Sequence, residues 1–181
     1  NASAAGPSSV ALGTDASAGN YSVALGRNAS AGNYSVALGS DASAVFSSVA
    51  LGRNASAGDY SVVLGTNASA AGPSSVALGT DASAAGNYSV ALGRDASAGD
   101  YSVALGSDAS AENANEGILG DTGSYSTSKW IVPGSFTVNG TKNFEIPHPK
   151  PDKSTTHVIR HGAVESPTPG DTLYRWKIQA T

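Results

Sequence analysis

The chain has 181 residues, enough for one or two ordinary domains, and only 13% of them are charged. Because Cys is absent, a disulfide framework and a thiolate metal site are excluded. Met is absent as well, and no stretch of about 18 apolar residues is present to span a membrane. Residues 1–111 carry three Arg and seven Asp, whereas residues 112–181 carry seven acidic and seven basic side chains. Neither part has a basic stripe, so nucleic acid is not expected as a partner.

The first part of the chain repeats the phrase Ser-Val-Ala-Leu-Gly. Unchanged copies begin at Ser9, Ser22, Ser35, Ser48, Ser75, Ser89 and Ser102. A copy starting at Ser61 has Val63 in place of Ala, and a fainter ninth copy covers residues 116–120. The first eight starts are 13 residues apart, except for two steps of 14. A period this short predicts a solenoid, and since Asn1 already lies inside a repeat, we expect the native chain to continue upstream.

One repeat unit, residues 15–27, predicts two short strands and two turns. From Tyr21 to Leu25, large side chains alternate with Ser and Ala, which is the period-2 pattern of a half-buried strand. Gly26 predicts a turn with positive φ, and residues 16–18 predict a second extended run. A helix is disfavoured because each internal Gly costs roughly 1 kcal/mol relative to Ala.

Stacked rungs of a solenoid lie about 4.8 Å apart, so identical rungs place Val over Val and Leu over Leu. The turn position after Gly26 also stacks, as Asn1, Asp15, Asn28, Asp41, Asn54, Asn67, Asp81, Asp95 and Asp108. Asn and Asp mostly alternate there, which limits like-charge contact, although the last three members are all Asp.

A single coil offers only Val, Leu and small side chains to a core. At about 25 cal/mol per Å² of buried apolar area, that burial scarcely offsets the ordering entropy of a rung. We therefore expect several chains to pack their Val/Leu faces together as an obligate oligomer. The candidate shared core is Val23, Leu25, Val36, Leu38, Val62, Leu64, Val90, Leu92, Val103 and Leu105.

The repeated phrase, with Asn/Asp-Ala-Ser-Ala between copies, closely resembles the YadA-like head repeat of trimeric autotransporter adhesins, which also occurs in phage and virus fibres. The resemblance covers residues 1–111. It implies an all-β fold: a left-handed parallel β-roll, a β-solenoid of 13–14-residue repeats, with three chains around one axis. Collagen or matrix binding occurs in that family, but no residue here matches a binding motif that carries over.

The repeat fails after Ala111, and the composition changes. Residues 112–134 are predicted to hold the last, degenerate rung and a connector, and residues 135–181 a small all-β module that caps the trimer. Strands are predicted at residues 135–138, 143–146, 157–161 and 173–178. The first two flank Asn139-Gly140, a hairpin signal.

Residues 140–149, followed by residues 160–167, resemble the β module that precedes the self-cleaving intramolecular chaperone of many phage and virus tail fibres. The resemblance implies that Thr181 is either an autocleavage end or simply the end of a fragment. It favours a viral over a bacterial origin for the chain.

Three groups of residues invite a functional interpretation. A tyrosine column, interrupted where Ser8, Ser47 and Ser74 stand, predicts either receptor contact by sugar stacking or packing at the seam between chains; its members are Tyr21, Tyr34, Tyr60, Tyr88 and Tyr101. His157 and His161 lie about 13 Å apart on one strand face, too far to chelate one ion from one chain. A trimer axis could bring three copies of one His together, but structural hydrogen bonding is the favoured role and no metal site is predicted. Ser166 lacks a Gly-x-Ser-x-Gly elbow, so no catalytic site is predicted.

The sequence thus predicts a non-enzymatic, extracellular homotrimeric fibre segment that attaches to a host surface receptor, glycan or protein. A phage or virus tail fibre is the first interpretation, and the head of a bacterial trimeric autotransporter adhesin is the alternative. A polysaccharide-cleaving tailspike is a distant third, because a coil this thin has no room for a catalytic groove. No cofactor is expected, and no membrane contact within this fragment.

Overall fold

The computed structural model describes residues 1–120, 143–147 and 158–162. The chain divides into two compact units, Asn1–Lys129 and Trp130–Thr181. All regular elements of the described residues are strands. Within those residues there is accordingly no apolar helix of the length needed to cross a membrane.

The first unit consists of short strands of two kinds, which alternate along the chain. Two-residue strands are β1 (Ser3–Ala4), β3 (Ser17–Ala18), β5 (Ser30–Ala31), β7 (Ser43–Ala44), β9 (Ser56–Ala57), β11 (Ser69–Ala70), β13 (Ser83–Ala84), β15 (Ser97–Ala98) and β17 (Ser110–Ala111). Three-residue strands are β2 (Val10–Leu12), β4 (Val23–Leu25), β6 (Val36–Leu38), β8 (Val49–Leu51), β10 (Val62–Leu64), β12 (Val76–Leu78), β14 (Val90–Leu92), β16 (Val103–Leu105) and β18 (Gly117–Leu119).

Each kind of strand forms its own nine-stranded parallel sheet, in which every strand pairs with the strand of the same kind in the next rung. Val23 pairs with Val10 on one side and Val36 on the other. The register survives the 14-residue steps, since Val62 still pairs with Val76. The prediction of a parallel β-solenoid with 13–14-residue rungs is confirmed, and the faint ninth copy of the repeated phrase forms β18.

The turns take part in the same ladder as the strands. The Asn28 amide donates to the Thr14 carbonyl at 2.8 Å, and the Tyr34 amide donates to the Asn20 carbonyl at 2.8 Å. Gly26 has φ 139°, as its place in the turn predicts. The prediction that Tyr21 belongs to the strand is wrong: Tyr21 lies in the preceding turn with φ 52°, and β4 begins at Val23.

The interior of each coil is filled by alanine and serine, the small side chains that the sequence predicts in one core together with Val and Leu. In one rung, Ala16, Ala18, Ser22 and Ala24 are all at most 1% exposed. These small side chains form one continuous core between the two sheets. Two three-residue strands present a branched side chain to this interior: Val63 in β10 is fully buried, and Ile118 in β18 is half-buried and packs against the core.

Because Ser22 and Ala24 point inward, their neighbours Val23 and Leu25 point outward. The Val and Leu side chains are half-buried or exposed in the single chain, and Leu64 is 42% exposed. A strand of the repeat is therefore buried on its small-residue side, whereas its large apolar side chains lie on the surface of the coil.

In the second unit, the described residues form one antiparallel pair, β19 (Asn143–Pro147) and β20 (Val158–Gly162), in which Phe144 is opposite His161. Strands were expected at both places, and both are present. The hairpin at Asn139-Gly140 and the strand predicted at residues 173–178 lie outside the described residues.

Candidate functional site

Three surfaces of the solenoid expose a distinct class of side chain: apolar, aromatic, or Asn and Asp. The apolar face is the outer side of the β2–β18 sheet and carries the Val and Leu columns. The tyrosine edge is the line of turns that precedes these strands, and it contains the tyrosine column. The Asx edge is the line of turns that follows them; its stacked members are Asp15, Asn28, Asp41, Asn54, Asn67, Asp81, Asp95 and Asp108.

The apolar face is continuous from β2 to β18. Its Val and Leu residues stack in register, Val over Val and Leu over Leu, except at the last rung, where Gly117 takes the Val position. All ten residues predicted for the shared core lie on this face. Leu64, Leu92 and Val103 are exposed by 42%, 37% and 42%, and the other seven are half-buried. Among the described residues, this face is thus a hydrophobic surface that no other element covers.

The tyrosine edge presents aromatic rings that stack along the solenoid axis. The Tyr21 and Tyr34 ring centroids are 5.4 Å apart with planes 10° from parallel, and those of Tyr88 and Tyr101 are 5.5 Å apart at 17°. In each pair, one face of each ring lies against its neighbour. The five tyrosines are 53–60% exposed, and all have φ between 52° and 60°.

Phe46 corrects the prediction that Ser47 interrupts the tyrosine column. Its ring packs edge-on against Tyr34 at 5.9 Å and against Tyr60 at 5.4 Å. The column therefore continues across that rung with a side chain from the preceding position. Phe46 was missed because it is one residue out of phase with the tyrosines.

Left-handed φ is unfavourable for a bulky residue such as tyrosine and is usually taken by Gly, Asn or Asp. Ser8, Ser47 and Ser74 occupy the same position in other rungs with φ between 48° and 57°. The turn therefore forms with a small residue as well. The local backbone therefore does not require tyrosine, and we attribute the presence of tyrosine at this position to a contact made by its side chain.

The Asx edge is held together by side-chain hydrogen bonds between rungs. Asn28 Nδ2 donates to Asp41 Oδ1 at 2.8 Å, and Arg27 Nη2 donates to Asp41 Oδ2 at 2.8 Å. The Ser40 hydroxyl also donates to Asp41, at 2.6 Å. The hydrogen bonds from Ser40 and Asn28, in that order, together with the charge of Arg27, lower the pKa of the Asp41 carboxyl below its usual value.

Arg94 accounts for much of the run of three aspartates at the end of this edge. Its guanidinium pairs with Asp95 Oδ2 at 2.5 Å and with Asp108 Oδ2 at 3.0 Å. One cation thereby bridges two stacked carboxylates. Asp81, the remaining member, accepts a hydrogen bond from Asn67 Nδ2 at 3.1 Å. Donors at both ends of the run make the departure from Asn/Asp alternation tolerable.

Arg53 stands in the same column as Arg27 and Arg94, but the next rung offers it Asn67 where they meet an aspartate. Arg53 is exposed, and among the described residues no hydrogen bond or ion pair involves its side chain. Arg53 is therefore the one guanidinium of the Asx edge that has no carboxylate partner within the described part of the chain.

The other candidate residues give no assembled site. His157 and Ser166 lie outside the described residues, and His161 is described only as a strand residue opposite Phe144. In the part of the chain that the structure describes, no three His, Cys, Asp or Glu side chains come together as metal ligands.

Comparison with known proteins gives one clear result. The family model of the YadA head domain repeat matches residues 1–16, 17–42, 46–68, 56–82, 70–96 and 97–115. These matches cover well over half of the chain and coincide with the solenoid rungs. No curated protein matches the chain.

Proposed function

This chain belongs to the YadA head domain repeat family, and from that premise we propose that it is a segment of a homotrimeric, non-enzymatic fibre that attaches to a host surface. The family places such repeats in surface-exposed adhesins, so the segment is expected to work outside the cell. The proposal needs no cofactor and assigns no catalytic residue. It concerns attachment through an extended rod.

The observation that carries the proposal is the exposed apolar face. It presents Val and Leu over nine stacked strands, while the interior of each coil holds little more than alanine and serine. At about 25 cal/mol per Å², such an interior contributes little burial per ordered residue, and covering the apolar face supplies the rest. Three chains that turn this face to a common axis would bury it completely.

Sedimentation equilibrium of the full chain tests the assembly. We expect a mass three times the 17.8 kDa of one chain. A folded monomer over a wide concentration range would contradict the proposal, because it would show that the apolar face needs no partner. A stable dimer would contradict the number of chains while leaving the role of the face intact.

A phage or virus tail fibre is the more specific function that we propose. Its support is the resemblance of residues 140–149 and 160–167 to the β module of tail fibres, together with strands β19 and β20 in that region. The head of a bacterial adhesin is the second candidate, and the match to the YadA head repeat itself favours it. A polysaccharide-cleaving tailspike has no comparable support.

A binding panel separates the two candidates. The full chain, fluorescently labelled, is applied to a range of bacterial strains and, in parallel, to animal cells and extracellular matrix. A tail fibre is expected to bind a narrow set of bacterial strains, whereas a bacterial adhesin is expected to bind animal cells or matrix. A chain with a disrupted apolar face, Leu64→Asp, is the control, since attachment through three chains depends on multivalency. Equal binding by this monomeric control would refute a trimeric attachment role.

A further inference from the structure

We propose that, in the trimer, the tyrosine edge of each chain packs against the Asx edge of the next chain at the same rung, so that aromatic rings meet guanidinium groups along three seams. This inference rests on the proposed trimer and adds which surfaces close it and in which register. It assigns a contact to the exposed tyrosines and to Arg53.

The first argument is geometric. The apolar face lies on strands of three residues, and the two edges are the turns at either end of these strands. Three such faces around an axis form a triangular tube, and neighbouring chains meet at its corners. Cyclic symmetry brings the leading edge of one chain to the trailing edge of the next, and it places identical rungs at the same height.

The second argument is chemical complementarity. One edge presents half-exposed aromatic rings, and the other presents guanidinium groups. Arg27 and Arg94 are each paired with aspartates of their own edge, yet their side chains are still 60% and 61% exposed. A guanidinium held in place by carboxylates keeps its flat face available for an aromatic ring.

The third argument is the distribution of residues over the rungs. Each arginine of the repeat region lies in the turn after a strand whose preceding turn carries an aromatic residue: Tyr21 with Arg27, Phe46 with Arg53, and Tyr88 with Arg94. The other rungs carry no arginine: threonine lies opposite Ser8, Ser74 and Tyr60, and serine lies opposite Tyr34 and Tyr101. Between neighbouring chains at equal height, these pairs would face each other.

The fourth argument comes from residues whose side chains remain exposed in the single chain. Tyrosine is held at a left-handed φ where serine suffices, and such strain marks positions that make a contact. Arg53 has no partner among the described residues of its own chain, and its rung is the one in which Phe46 fills the aromatic column. The seam supplies a partner to both.

Cross-linking of the full chain tests the seam directly, because the chain has no cysteine of its own. Ser74 and Thr80 are exposed, small and on opposite edges of one rung, so Ser74→Cys/Thr80→Cys is a mild double variant. Within one chain these positions are separated by a strand and its flanks, about 20 Å at 3.3 Å per residue. A bis-maleimide with a span well below that width can join them only between chains.

The matched control is Ser74→Cys/Thr14→Cys, which uses the same two edges five rungs apart, an axial offset of about 24 Å. We expect the first variant to appear mainly as covalent dimer and trimer on a denaturing gel, and the control to remain a single chain. The single variant Ser74→Cys should also remain a single chain, because like edges do not meet.

Sedimentation of each variant before cross-linking separates the possible failures. A trimer in which the same-rung pair does not cross-link, or in which the control cross-links equally well, would overturn the seam and leave the trimer standing. Cross-linking of Ser74→Cys alone would show that like edges meet. A monomer would overturn both the proposed trimer and the seam that rests on it.

Discussion

The buried serines of the solenoid interior provide the sharpest test of its hydrogen bonding. Ser61 Oγ lies 3.0 Å from the carbonyls of Asp59 and Gly72 and accepts the Ser75 amide at 3.2 Å. Ser48 occupies the same position one rung earlier and is 2% exposed, yet its hydroxyl has no hydrogen-bond partner among the residues that the structure describes. Ser48 and Ser61 are thus the same residue type, equally buried and at the same position in their rungs. They differ in whether the hydroxyl group makes hydrogen bonds.

This difference predicts opposite effects for the same substitution. Ser61→Ala leaves the buried Ser75 amide without its acceptor, which costs about 1–3 kcal/mol. Ser48→Ala removes a hydroxyl that the folded chain buries unpaired, so we expect a stability equal to or above that of the wild type. For a chain of this size, 1 kcal/mol corresponds to a shift in Tm of about 2–4 °C.

Thermal unfolding of the full-length variants, followed by circular dichroism at one fixed chain concentration, measures both effects. The concentration is held constant because assembly contributes to apparent stability. Ser61→Ala should melt several degrees below Ser48→Ala. Equal losses for the two variants would refute the reasoning, since they would show that the hydroxyl group itself, rather than its partners, sets the cost.

Further substitutions test the turn, the apolar face and the Asx edge. Gly52 has φ 140°, and an added Cβ would lie 2.2 Å from the Gly65 carbonyl oxygen, whereas a Cβ on Gly117 meets nothing within 4 Å. In urea unfolding, Gly52→Ala should therefore lower the free energy of unfolding by at least about 3 kcal/mol, and Gly117→Ala should lower it by less than about 0.5 kcal/mol. Similar losses for the two variants would contradict the close packing of the rungs. Leu64→Asp should convert the proposed trimer to monomer in sedimentation and lower the Tm steeply, because three carboxylates would meet at a dry axis; an unchanged Tm would place Leu64 in water. Asp41 has a lowered pKa, so its contribution to stability is present above its unfolded pKa, near 3.8, and is lost as pH falls through its folded value. Asp41→Asn should consequently have a lower free energy of unfolding than the wild type at neutral pH and the same free energy of unfolding in acid. A difference in stability that persists well below pH 3.8 would contradict this role of Asp41.

The architecture of the repeat region could be predicted because the repeat fixes its own register. Thirteen residues with two glycine-containing turns leave room for little except a narrow coil, and the phrase starting at Ser22 recurs often enough to set the phase. The same phrase pointed to the Val and Leu columns as one surface. The structure agrees with both predictions, down to the degenerate rung that ends at Leu119.

The errors have physical causes that the sequence does not display. Period-2 alternation counts Tyr21 with Val23, because alternation cannot distinguish a strand from a turn residue with positive φ. The sequence predicts Val, Leu and the small side chains in one core, because alternation alone does not show which side of so narrow a strand faces the interior; Ala24 is fully buried, whereas Val and Leu lie on the outer side. Phe46 and Arg94 act across rungs, and their roles appear only when residues 13 or 14 positions apart are placed side by side.

The closed backbone ladder has a consequence for how such a rod can change in evolution. Every rung hydrogen-bonds only to the rung before it and the rung after it, and each presents the same donors and acceptors on both sides. Duplication or loss of one rung in the gene would leave all other rungs in place and would lengthen or shorten the rod by about 4.8 Å. The length of the repeat region is thus a quantity that recombination can adjust in small, equal steps without disturbing the fold.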